Sequence, residues 1–333
     1  MKAIRIHQFG DGDEVLQYEE VPVPEPRAGE VLIKIEAAAL NRADLGLRKG
    51  TYRVAPEDLP IIPGREFAGT VVKLGSGVEQ FHAGQRVVAY PGRGGYAEYG
   101  VSKASLVRPV PAGLNSSDAA AIPTVFLTAW FALFEDGKLK TGDQVMVQAG
   151  SSGVGNAAIQ IAKHAGARVI STAGSEERCR RLRELGADEA IDYTRLDFEK
   201  EVLRLTSGRG VDVVLEMIGG EVYEKSLRVL AANGRLVSIG GAFGTIPATP
   251  PQLADGRKAT RFSITQYLSD HPEAFERLDF FMQTAVAGKF RVVIDKTFPL
   301  SEARAAQRYL EGREHFGKVI LTPSTLLGQR HSV

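Results

Sequence analysis

The stretch from Asp143 to Ala165 restricts the possible folds more than any other part of this chain. An apolar strand candidate, DQVMVQ, runs directly into Ala149-Gly150-Ser151-Ser152-Gly153-Val154-Gly155, and Val154, Ala158, Ile161 and Ala165 then recur at helical spacing. Gly150 allows a tight turn off the strand, and Gly155 allows the helix to pack closely on the sheet. The start of such a helix presents free N–H groups and a partial positive charge, which together suit a pyrophosphate. In a G-x-G-x-x-G reading the middle position is Ser152, a small hydroxyl that still lets the backbone approach a phosphate.

The surroundings repeat this strand-to-helix rhythm. From about residue 120 the strand candidates are Val145–Gln148, Arg168–Ser171, Ala190–Asp192, Val211–Glu216 and Arg235–Ile239. Between the later ones lie the helical segments EERCRRLRELGA, FEKEVLRLTS and YEKSLRVLA. Alternation of this kind builds an open, doubly wound parallel sheet of the α/β class. Gly and Pro in 241–258 close the run as a loop; a strand-like FSIT, helices near 272–287 and 302–311, and a last strand KVILT follow. Residues 1 to about 110 read differently, as short β-branched runs (KAIRIHQFG, EVLIKIEAAAL, GTVVKLGSGV, QRVVAYPG, GYAEYGV) split by turn residues. Pro22, Pro24 and Pro26 mark an edge or a connecting arm between two of these runs. A chain of 333 residues has room for both units, and the tail, which breaks the strand–helix rhythm, is expected to return to the first.

Composition removes several classes of function. The formal net charge is +1, so no global field draws in nucleic acid or an anionic membrane. Cys179 is the single cysteine, which excludes an intrachain disulfide and a thiolate zinc cluster and fits a reducing, cytoplasmic setting. The N-terminus has no signal-peptide core, and no charge-free apolar run approaches the roughly 18 residues of a membrane span, so a soluble, untargeted protein is expected. His7, His82, His164, His271, His315 and His331 are scattered, with no i, i+4 pair, and read as surface or packing residues.

The second strand of the doubly wound unit ends Ser171-Thr172-Ala173-Gly174-Ser175, with no acid before Glu176. An NAD site usually ends that strand in a carboxylate for the ribose, so its absence leaves room for a 2′-phosphate. Ser175 and Arg178, on the first turn of the next helix, can hold that dianion by charge-assisted hydrogen bonds. The expected cofactor is therefore NADPH (NADP).

Gly142-Asp143, Met146, the 150–155 loop, Gln160 and Lys163 resemble the quinone oxidoreductase and zeta-crystallin family of the medium-chain dehydrogenase/reductase superfamily. Asn41-Arg42-Ala43-Asp44, Gly50-Thr51-Tyr52, Pro63-Gly64-Arg65-Glu66-Phe67-Ala68-Gly69, Gly95-Tyr96-Ala97-Glu98-Tyr99, Leu127-Thr128-Ala129 and Gly317-Lys318-Val319-Ile320-Leu321 follow in family order. Met146 in place of Leu and Ser152 in place of Gly depart from the family pattern. The resemblance implies a GroES-like β-barrel catalytic domain (residues 1–121 and 267–333), a Rossmann domain (residues 122–266), an active-site cleft at their junction, and a homodimer. Zinc-using relatives carry a Cys and a His where this chain has Asn41 and Arg65, so a metal-free enzyme is expected.

In that case charge on the acceptor oxygen must be met by hydrogen-bond donors, and the resemblance implies Asn41 and Tyr52, with Asp44 orienting Arg48 or the nicotinamide ribose. It also implies cofactor contacts at Thr128, Gly150, Ser151, Ser152, Gly153, Val154, Gly155, Gly174, Ser175, Arg178, Tyr193, Gly240, Gly241, Arg313 and Lys318. Gly46 stands where the family often has a second Tyr, which reads as a wider pocket. The expected reaction is hydride transfer from NADPH to a quinone or an α,β-unsaturated aldehyde or ketone. An enoyl-thioester reductase is the alternative, with Arg42, Arg48, Lys49, Arg53 and Arg65 as a basic entrance for a CoA ester. A non-catalytic or RNA-associated NADPH-binding protein is the alternative of another class.

Overall fold

A computed structural model describes residues 1–52, 54–240 and 244–323. The chain divides into two compact units, Met1–Thr124 with Pro272–Val333, and Val125–His271.

The first unit opens with β1 (Lys2–Ile6), β2 (Leu16–Glu20), β3 (Glu30–Ala39), α1 (Arg42–Arg48), β4 (Phe67–Leu74), β5 (Arg86–Ala89), β6 (Tyr99–Lys103), β7 (Val107–Pro109) and α2 (Ser116–Ala120). β3 is its spine. β4 runs antiparallel along β3, β6 pairs with Glu30–Lys34, and the C-terminal strand pairs with Ala38 and Ala39. Val31, Ile33 and Ile35 alternate along β3 into a core that includes Phe67, Val71 and Val87. Full burial of each such side chain stabilises by about 1.5–3 kcal/mol.

The second unit follows α3 (Pro123–Phe131) with β8 (Gln144–Val147), α4 (Gly153–His164), β9 (Arg168–Ala173), α5 (Glu176–Glu184), β10 (Glu189–Asp192), α6 (Phe198–Leu205), β11 (Val211–Glu216), α7 (Glu221–Arg228), β12 (Leu230–Ser238), β13 (Lys258–Arg261) and α8 (Ile264–Asp270). The six strands pair in parallel in the order β10-β9-β8-β11-β12-β13. Counted from β8 this is 3-2-1-4-5-6, the Rossmann order, whose direction reverses beside β8. The loop after β8 therefore lies at the switch point. In α5, acidic Glu176 and Glu177 sit in the first turn and Arg181 and Arg183 in the last, which suits the helix dipole, while Cys179 and Leu182 form its buried face.

α9 (Arg277–Val286), β14 (Ile294–Pro299), α10 (Ala303–Glu311) and β15 (Lys318–Thr322) complete the first unit, where β15 joins β14 to β3.

One element differs from the sequence expectation. FSIT is not a strand: β13 ends at Arg261, and the Ser263 side chain accepts the Gln266 N–H to cap α8. The sheet thus has a sixth strand where the expected loop ends, between it and FSIT. KATR is a half-exposed edge strand without an apolar run, so its sequence carries little strand signal.

Candidate functional site

In the second unit the backbone itself shapes the site. The Ala149 and Gly150 N–H groups are held by Thr172 through its hydroxyl (3.3 Å) and carbonyl (3.0 Å), and Asn156 Nδ2 donates to Gly150 O at 2.6 Å. A Cβ on Gly155 would lie 2.4 Å from Ala149 O, and one on Gly150 would lie 2.3 Å from Ser171 Oγ. At Gly155 the clash is with backbone and requires glycine; at Gly150 the buried Ser171 hydroxyl and Leu182 methyls would have to move. Ser152 Oγ accepts the Gly155 N–H at 3.0 Å, so the residue in place of the middle glycine serves as the N-cap of α4. Among the described residues the buried Ser151 hydroxyl has no hydrogen-bond partner. Gly153 and Val154 form the first turn of α4.

The end of β9 lies beside this loop through the β8–β9 pairing. Ser175 Oγ accepts the Arg178 N–H at 3.3 Å and caps α5, and Arg178 is half-buried. The Tyr193 hydroxyl lies 2.7 Å from where a Gly174 Cβ would be, and Tyr193 is 52% exposed. Gly174, Ser175, Arg178 and Tyr193 thus share one corner. Thr128 is buried on α3, and Gly240 follows β12 at φ 148°. Gly241 lies outside the described residues.

The first unit holds a nest of buried charge. Lys318 Nζ, on β15, donates to Leu40 O (2.8 Å), Asn41 Oδ1 (2.8 Å) and Glu66 Oε1 (2.9 Å). Glu66 is fully buried, and its other oxygen accepts the Thr124 N–H at 2.6 Å. Asp44 Oδ2 accepts the Asn41 N–H (2.8 Å) and the Tyr96 hydroxyl (3.1 Å). Burial pushes the Asp44 carboxyl up to about 6, opposed by the Asn41 N–H and the charges of Arg65 and Lys318. Burial, then the Asp44 charge, pushes the Tyr96 phenol well above its ordinary range. Arg65 is 4% exposed; its guanidinium lies over the rings of Tyr52 (5.2 Å) and Tyr90 (5.5 Å) and donates to the Tyr90 hydroxyl at 2.8 Å.

These contacts correct several expectations. Asn41 is not a donor for an acceptor oxygen, because Nδ2 already donates to Glu66 Oε1 at 2.8 Å and Ala39 O at 3.2 Å. Lys318 is not a phosphate contact, because its three donor positions meet the three acceptors above. Asp44 does not orient Arg48, whose guanidinium donates to Gln307 Oε1 (3.0 Å), Asp11 O (2.6 Å) and Glu311 Oε2 (3.0 Å). Gly46 packs against the Thr51-Tyr52 chain: a Cβ there would meet Tyr52 Cβ at 2.9 Å, so a larger residue would require that chain to shift. Part of the basic entrance is paired or buried: Arg48 is fully buried and shares Glu311 with Lys49, Lys49 also meets Asp11, and Arg65 lies between two tyrosines. Arg53 lies outside the described residues. Arg313, on the first unit, is exposed at φ 61° and acts electrostatically on Arg42.

Glu66, Tyr90, Tyr96, Asn156 and Thr172 enter the two sites without having been assigned roles from sequence. For Glu66 a signal was present: an adjacent acid and base inside the otherwise apolar PGREFAG implies partners for both.

Residues 27–112 match the family described as alcohol dehydrogenase GroES-like domain, and residues 185–321 that described as zinc-binding dehydrogenase. The chain is 33% identical to the quinone oxidoreductase of Rattus norvegicus, over 96% of this chain and 97% of that protein. This chain belongs to the quinone oxidoreductase family. A second relative, 2-haloacrylate reductase of Burkholderia sp, is also 33% identical, over 96% of this chain and 98% of that protein. The solved structure of Escherichia coli quinone oxidoreductase complexed with NADPH superposes with a TM-score of 0.91 at 30% identity, covering 97% of this chain and 100% of that one. Family membership makes the chain an oxidoreductase of the medium-chain dehydrogenase/reductase superfamily, with the GroES-like and Rossmann folds described above. Among the described residues no helix is long and apolar enough to cross a membrane.

Proposed function

We propose that this chain is an NADPH-dependent, metal-free reductase of quinones and related conjugated carbonyls. The observation that carries this reading is the corner beside the glycine loop. β9 runs out as Ala173-Gly174-Ser175 without a carboxylate, and Ser175, Arg178 and Tyr193 gather where a ribose 2′-phosphate would need donors. The residues present fit the cofactor. The glycines at 150 and 155 let strand, loop and helix pack closely, the Ser151 hydroxyl is an orphaned buried donor, and α4 starts there. The NADPH complex of the Escherichia coli relative supports the same reading.

When bound, NADPH supplies the hydride. The chain's part is to hold it and to meet the charge that develops on the acceptor oxygen. The Ser151, Gly153 and Val154 N–H groups, in the loop and at the start of α4, would hold the pyrophosphate, Ser175, Arg178 and Tyr193 the 2′-phosphate, and Thr128 and Gly240 the nicotinamide end. With the Asn41 amide committed to Glu66, the donor toward the acceptor is the Tyr52 hydroxyl.

The donor set does not suit zinc. Around Asn41 the place of a metal cation is taken by the Lys318 ammonium, the counterpart of the zinc-binding histidine is the guanidinium of Arg65, and the single cysteine lies in α5. A second reading, reduction of a small conjugated acid or enone at carbon, is favoured by the likeness to 2-haloacrylate reductase. A CoA ester is disfavoured because Arg48 is fully buried and Lys49 is paired with Asp11 and Glu311.

The test is NADPH oxidation by purified protein with a small quinone and, separately, a linear enone, with NADH in parallel. Quinone turnover at least tenfold above the enone supports the first reading, and the reverse supports the second. Equal rates with NADH would remove the cofactor assignment.

A further inference from the structure

We propose that Arg65 is a positioning residue that makes Tyr52 an obligate hydrogen-bond donor and balances the negative charge Tyr52 acquires when it donates. The proposal rests on the reading of Tyr52 as the group facing the acceptor oxygen.

The geometry confines the guanidinium closely. It lies against the Tyr52 and Tyr90 rings at 5.2 and 5.5 Å, donates to the Tyr90 hydroxyl at 2.8 Å, and is hydrogen-bonded to Tyr52. Arginine carries N–H donors and no acceptor, so a phenol bonded to it must receive at its oxygen and keep its own hydrogen for another partner. A phenol in water both donates and accepts; beside Arg65 its oxygen receives from the guanidinium and its hydrogen is directed to the other partner. The Tyr52 Cβ packs closely on Gly46, which sets where the side chain leaves the backbone.

The charge is dependable as well. Burial opposes it, but Tyr90, Tyr52 and Asp44 more than offset that, and the guanidinium stays protonated above its ordinary range. The neighbouring acid is engaged elsewhere, because Glu66 receives Asn41, Lys318 and the Thr124 N–H. Asp44 and Lys318 are the other charges of the nest, and their signs oppose one another. As the acceptor gains a hydride it becomes anionic, and a proton passes from Tyr52 Oη to its oxygen. The phenolate left behind faces Arg65 until water returns a proton. A fixed cation behind a proton donor performs the task that a Lewis acid performs in metal-using relatives.

The experiment compares Tyr52→Phe, Arg65→Met, the double variant and Arg65→Lys with the full chain. NADPH oxidation is measured with the quinone and the enone, and NADPH affinity by fluorescence. Each single variant is expected to lower kcat roughly 100- to 1,000-fold while NADPH affinity stays within about twofold. Because Arg65 acts through Tyr52, the double variant falls no more than about threefold below the worse single one. Arg65→Lys keeps the charge and recovers at least about tenfold of the loss. Independently of any acceptor, tyrosinate absorbance of each protein minus its Tyr52→Phe counterpart isolates the Tyr52 ionisation. Its midpoint is expected to rise by about one pH unit or more when Arg65 becomes Met.

Multiplying losses in the double variant, or an unmoved Tyr52 midpoint, would overturn the proposal. Full activity in Tyr52→Phe removes the donor reading itself, and a wild-type chain that reduces neither acceptor removes the proposed function; the phenol titration still decides whether Arg65 tunes Tyr52. If Arg65→Met fails to fold, Tyr90→Phe takes its place. That variant loses the 2.8 Å bond and should lower kcat about tenfold, and an unchanged kcat would count against the clamp.

Discussion

The two sites are built on opposite plans. In the Rossmann unit the loop after β8 is shaped by backbone, with glycines where strand and helix touch and a serine capping α4. In the GroES-like unit the nest around Asn41 is shaped by side chains brought from residues 41, 66, 96 and 318. A site of main chain and small residues depends on spacing within one short stretch. A site of buried charges depends on every partner being present, since one lost partner leaves another uncompensated.

Three substitutions test that contrast. The largest effect is expected for Lys318→Met, which strips Glu66 and Asn41 of their common donor. A loss of about 3–5 kcal/mol in urea unfolding is expected, with NADPH affinity changed less than about twofold. Equal damage to cofactor binding would mean that the two sites are not energetically separate.

Asp44→Asn should act next most strongly, through pH. The folded state raises the Asp44 carboxyl to about 6, so between pH about 4 and 6 the folded chain holds more protons than the unfolded one. Its contribution therefore favours folding below that window and is lost as pH rises through it, by at most about 3 kcal/mol. In Asp44→Asn that downward slope disappears from unfolding midpoints measured across the window. An unchanged slope would assign it to other groups.

Arg178→Ala is the finest probe. It should weaken NADPH by about tenfold to a hundredfold and NADH by less than about twofold, read by equilibrium titration. Parallel losses for both nucleotides would show that the α5 corner does not read the 2′-phosphate.

The legibility of the sequence follows the same division. The strand–loop–helix around Gly150, and the missing acid at the end of β9, could be read because cause and effect lie within a few residues. The nest could not. Lys318 and Asn41 are 277 residues apart, and only β15 pairing with β3 brings them together. Asn41 was recognised as important, but its amide was assigned to a substrate because Glu66 was not known to face it. Gly46 reads as space for the same reason, since nothing local in the sequence shows Tyr52 packing against it. The edge strand β13 was missed on different grounds: a half-exposed edge needs no hydrophobic pattern, whereas Phe262 beside it is buried against Tyr267 and looked like the strand.

The interior seat of Cys179 has a consequence for chemical durability. Quinones and enones are themselves alkylating agents, and exposed thiolates are the side chains they capture fastest. The chain's single cysteine is 0% exposed on α5, and burial, with Glu176 and Asp192 adding to it, pushes its thiol above the ordinary range. The chain therefore carries no ready nucleophilic thiol for such electrophiles to modify.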